Sequence, residues 1–179
     1  MERYSGLVER VLRADSLLRK LIPSDILDRE LWREIVATDD ATLASTTPIA
    51  KPREFALVRG GLLYALDDLE GCHRVFQDAH SDLGSYWHGM MHRREGDFDN
   101  ARYWFRRAGS LPVFAKLHGD VASFSPDMAK QSLWDPYLFT GMCEQARHGA
   151  EDDQGELPRL QRAEFDALFD YSWRQALAV

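Results

Sequence analysis

The chain has 179 residues, 45% of them hydrophobic and 28% charged, with a net charge of −7. That composition fits one globular domain with a real core and excludes wholesale disorder. The acidic balance, with a pI near 5.3, opposes broad phosphate binding, and no apolar run approaches the about 20 residues that a membrane helix needs. Neither nucleic acid nor a membrane is therefore an expected partner. The charged start Met1-Glu2-Arg3-Tyr4 does not read as a secretory signal. Cys72 and Cys143 are too few for a disulfide framework. They point to a reducing compartment, most simply the cytoplasm.

Tyr4, Leu7, Val8, Val11, Leu12, Leu18, Leu21 and Ile22 recur at helical spacing, so a helix is predicted up to Pro23. Ser24 reads as the N-cap of a second helix carrying Ile26, Leu27, Leu31, Trp32 and Ile35. Residues 1–37 thus form an N-terminal helical part, and 38–53 a connector with few large apolar residues. Four short helices follow over Phe55–Leu66, Leu69–Ala79, Leu83–Arg94 and Phe98–Gly109, broken at Asp67-Asp68, His80-Ser81-Asp82 and Gly96-Asp97. Residues 113–132 are less regular. Within 133–179 a helix pair is expected, Trp134–His148 and Arg159–Leu177, around an acidic loop, Gly149–Pro158. No alternating β-branched run or Asn-Gly turn appears, so the fold class is all-α.

Residues 54–112 repeat internally. A shift of 29 residues places Gly60 on Gly89, Asp68 on Asp97, Cys72 on Ala101, Phe76 on Phe105 and Ala79 on Ala108. Small residues (Gly60 with Cys72, Gly89 with Ala101) would let paired helices approach, with Phe76 and Phe105 filling the far end of each pair. Asp68 and Asp97 suit the cap of each second helix. The stretch Gly89 to Ala108, with Gly96-Asp97-Phe98, Ala101, Phe105 and Ala108, resembles the tetratricopeptide-repeat family of helix–turn–helix units, whose period is about 34 residues. The resemblance implies antiparallel helical hairpins stacked as a short array, with the N-terminal helices capping it. The narrower string Tyr86 to Arg107 also resembles a group of uncharacterised, mostly microbial proteins, which implies a helical domain and no particular chemistry.

Two clusters carry chemistry. His88 and His92 lie four apart on one helix, so both face one side and can share a divalent transition metal. His73, His80, Asp68 and Glu95 are the candidates for a third ligand. The alternative is a packed histidine pair hydrogen-bonded to neighbours such as Tyr64 or Tyr103. In the repeat register Tyr64, Tyr86, Met90, Arg93 and Arg94 fall on columns that the family turns toward its concave groove. The resemblance implies that they hold an extended acidic peptide or a small anion, the planar Arg fork gripping carboxylate at two points. The alternative for Arg93 and Arg94 is ion pairing with Asp67, Asp68 or Glu54. Arg102, Arg106 and Arg107 with Tyr103, Trp104 and Phe105 read as solvated charges among repeat-core aromatics. No nucleophile elbow, Gly-rich phosphate loop or dinucleotide fingerprint occurs. Both cysteines read as packing residues.

Two functions follow. The first is a non-catalytic interaction module binding a protein, acidic peptide or small anion without a cofactor. The second is an enzyme or ligand site between helices using His88 and His92 with a metal. A short repeat stack would also leave apolar ends that can pair as a homodimer.

Overall fold

A computed structural model of the chain describes residues 4–14, 16–147 and 155–177. Among these residues there are helices and no strand: α1 (Gly6–Leu12), α2 (Arg29–Ala37), α3 (Asp40–Ala44), α4 (Pro52–Ala65), α5 (Leu69–Phe76), α6 (Asp82–Glu95), α7 (Phe98–Ala108), α8 (Phe114–Val121), α9 (Pro126–Ala129), α10 (Pro136–Ala146) and α11 (Glu156–Ala176). The all-α class is as the sequence predicts. No described helix is long and apolar enough to cross a membrane.

The middle of the chain starts and stops where its caps dictate. Asp68 accepts from the Gly71 amide at 2.8 Å and begins α5. Asp97 does the same for α7 through Asn100 at 3.2 Å. Gly96, at φ +78°, ends α6 in a left-handed turn that favours glycine. In succession α4 packs on α5, α5 on α6 and α6 on α7; α11 lies against α4 and α8, and α10 against α7 and α11. One core joins these helices, with Trp87, Tyr64, Phe76, Phe165 and Phe169 among its large members.

The glycines of the repeat do something more direct than the sequence suggests. A Cβ at Gly60 would meet the Phe76 ring, and one at Gly89 would lie 2.7 Å from two ring atoms of Phe105. The aromatic ring therefore sits over the glycine itself, and the same contact recurs 29 residues on, from Gly60 with Phe76 to Gly89 with Phe105. Phe105 has little room to retreat, because Tyr86 packs on it at 4.9 Å. Gly89→Ala should therefore destabilise by up to about 2 kcal/mol, an overpacking cost of about 1–3 kcal/mol less the about 1 kcal/mol that alanine gains in a helix. Urea unfolding would check this; a stabilised variant would refute the contact.

The N-terminal part differs from expectation. The helix predicted to Pro23 ends at Leu12. Leu18 takes a left-handed φ of +59°. The carbonyls of Leu18 and Lys20 accept from the buried Gln161 carboxamide, both at 2.9 Å, and Lys20 accepts from Arg94 as well. Those carbonyls serve tertiary donors instead of a helix ladder. The second helix is capped by Asp28, not Ser24, because Leu27 donates its amide to the Leu66 carbonyl at 3.0 Å and leaves helical pairing. The connector is also more ordered than predicted. It contains α3, and Arg59 ties it down through Asp40 and Thr38 while also bonding the Ile35 carbonyl of α2. Its end meets the C-terminal helix, where Ala50 and Lys51 donate to the Ala176 carbonyl and Ile49 bridges Leu177. The irregular stretch holds α8 and α9. α11 begins at Glu156, three residues before the predicted Arg159. The acidic loop expected over 149–158 lies mostly outside the described residues.

Candidate metal centre

Packing of α5 on α6 brings His73 to the pair His88 and His92. The rings of His88 and His92 stack at 4.7 Å, and His73 stands 4.9 Å from one and 5.2 Å from the other. One nitrogen from each lies within 4.8 Å of the other two. Zinc bound at about 2.0–2.1 Å would set its donors about 3.3 Å apart, so the imidazoles need to close by up to roughly 1.5 Å. Of the four residues that the sequence offers as a third ligand, His73 is the one in the cluster. His80 is exposed, and Asp68 is engaged by the Trp32 indole at 2.7 Å and the Gly71 amide.

His88 is 3% exposed, yet neither of its ring nitrogens has a hydrogen-bond partner among the described residues. The expected bonds to Tyr64 or Tyr103 are absent there. A buried polar group left unpaired costs about 1–3 kcal/mol. The Trp104 indole lies flat on the ring at 4.0 Å, and the Arg107 guanidinium stands over Trp104 at 5.2 Å. His92 Nδ1 is 2.9 Å from the Glu95 carboxylate, and the Asn100 carboxamide nitrogen is 3.2 Å from Nε2. Burial first, then His92 and His73, push His88 down to about 3. Burial also lowers His92, against the opposing pull of Glu95. Both rings are thereby held neutral near pH 7, the form whose lone pair binds a metal ion. His73 is half-buried and Glu95 exposed, so the cluster lies just beneath the surface.

The second predicted set is deep inside. Tyr64, Tyr86, Met90, Arg93 and Arg94 are all buried. Arg93 forms two hydrogen bonds to Glu164 of α11, which also accepts from Tyr86 Oη at 2.7 Å. Trp134 donates its indole N–H to that same Tyr86 oxygen at 2.7 Å. Phe139 packs against the Arg93 guanidinium at 4.2 Å. Arg94 bonds to Asp67 at 2.5 Å, one of the partners anticipated, and to the Tyr64 carbonyl at 2.9 Å. The position an acidic peptide would take on Arg93 is thus held by the chain's own Glu164. Sequence reasoning missed this residue, because one carboxylate on an amphipathic helix reads as solvated. It also missed Asn100 and Trp104, whose only signal is their place one and two turns along α7. Arg102 pairs with Asp99 and Glu144.

Both cysteines are buried free thiols. Burial raises the Cys72 thiol far above its usual range and Cys143 to about 11. Native protein at pH 8 should resist an aromatic disulfide reagent and release two equivalents of thiol only in denaturant. Prompt native reaction would contradict this burial.

No family model matches the sequence, and no match to it was found among curated proteins or solved structures.

Proposed function

We propose that this protein binds one divalent transition-metal ion through His73, His88 and His92. The observation that carries the reading is His88, a buried imidazole with both nitrogens unpartnered, set against two other imidazoles. A metal ion would take the lone pair of whichever nitrogen is unprotonated and so relieve part of the desolvated ring. Three neutral nitrogen donors suit zinc, copper, nickel or iron(II) better than magnesium or calcium. Zinc is the first ion to test.

The interaction-module reading draws less support, since Arg93 is occupied by Glu164 and Arg94 by Asp67. The tetratricopeptide-like reading of α4–α5 and α6–α7 is supported by the recurring ring-over-glycine contact. Buried free thiols support a reducing, cytoplasmic setting.

The test is the metal content of natively purified, untagged protein by inductively coupled plasma mass spectrometry, with His88→Ala/His92→Ala as control. About one equivalent in the wild type and none in the variant is expected. Metal in neither, together with no zinc uptake at micromolar concentration by calorimetry, would end the reading.

A further inference from the structure

Glu95 occupies an unfavourable place for a carboxylate. It is the last residue of α6, where the helix dipole favours cations, and His92, Arg93 and Arg94 fill the rest of that turn. Its side chain returns three residues along the helix to His92, with Oε2 2.9 Å from Nδ1. A carboxylate accepts only, so the neutral His92 ring must carry its proton on Nδ1 to make this bond. Its Nε2 then carries the lone pair; the Asn100 carboxamide nitrogen stands 3.2 Å from it and must give way to an incoming metal ion. Gly96, in its left-handed turn, ends the helix directly after Glu95 and leaves this side chain at the rim of the cluster.

We propose that Glu95 is a positioning residue for the metal centre: it fixes the tautomer and the ring orientation of His92 so that Nε2 is the ligating atom. This rests on the metal reading above. Ligand histidines generally donate their second nitrogen to a carboxylate or carbonyl, and loss of that partner weakens metal binding 10–100-fold. Glu95 touches the ion only through His92, so its effect must appear in the state of that ring.

The test pairs zinc calorimetry with long-range proton–nitrogen NMR of the imidazoles, on the wild type, Glu95→Ala and Glu95→Gln. Wild-type protein after chelation should show His92 protonated at Nδ1. Glu95→Ala should show a tautomer mixture and bind zinc 10–100-fold more weakly. Glu95→Gln, whose carboxamide oxygen still accepts from Nδ1, should recover part of the affinity and the Nδ1 tautomer. Unchanged affinity in Glu95→Ala, or a wild-type ring protonated at Nε2, would overturn the proposal while leaving three-histidine binding intact. Failure of the wild type to bind zinc would instead remove the metal reading, and the tautomer spectra would still report on the contact.

Discussion

Arg93→Ala is expected to lower stability by roughly 3–5 kcal/mol, the cost of breaking a buried ion pair from one side. Arg93 is 1% exposed and Glu164 0%. Burial opposes the guanidinium's charge, and the Glu164 carboxylate outweighs it, so Arg93 stays protonated. Without Arg93 that carboxylate would lie in the core with Tyr86 as its remaining donor, and Phe139 and Phe105 would lose the flat group packed against them. Glu164→Gln keeps an acceptor for Tyr86 and should cost less in combination with Arg93→Met than either change alone, because no charge is then left unpaired. Chemical denaturation of the four proteins would give the coupling directly. A loss below about 1 kcal/mol for Arg93→Ala would show that the pair is solvated. A folded Arg93→Ala/Arg94→Ala variant that had lost affinity for an acidic peptide would return the argument to an open groove.

Saturating zinc is expected to raise Tm by on the order of 10 °C. A ligand present at about 1,000 times its Kd stabilises by about 4 kcal/mol, and each kcal/mol is worth roughly 2–4 °C in a domain of this size. His73→Ala, His88→Ala and His92→Ala should each remove most of the shift. His88→Leu should do so with little loss of metal-free stability, since an apolar side chain replaces two unpaired polar atoms beside Trp104. The opposite signs matter: a residue that only packs would lower Tm on substitution and leave the zinc response alone. Differential scanning calorimetry with and without zinc, after chelation, separates the two. Equal shifts in the wild type and all variants would mark adventitious surface binding.

Helices α4 to α7 were legible because their breaks carry the capping residues Asp68, Ser81 and Asp97 and the left-handed Gly96, which act locally. The stretch after Leu12 was not, because what ends its helix lies far along the chain in Gln161 and Arg94. The same division runs through the candidate site. His88 and His92 share a face by helical arithmetic alone. His73 joins them only when α5 packs on α6, a relation that spacing does not encode. The five residues assigned to a groove followed from a repeat register that leaves its inner face uncovered. Gln161, Glu164 and Ser172 of α11 instead reach the first turns of the chain, Arg93 and Trp87.

The hydrogen bonds from Gln161 to Leu18 and Lys20 span 143 and 141 residues. On a ribosome, the segment around Leu18 must therefore wait for α11 to emerge before its carbonyls find their donors. Until then α6 holds Arg93 without its carboxylate. Completion of the fold is tied to arrival of α11, and loops of that length close late. Ribosome-bound chains stalled before Glu156 should accordingly remain open to protease near Leu18, whereas chains in which α11 has emerged gain protection there in a single late step.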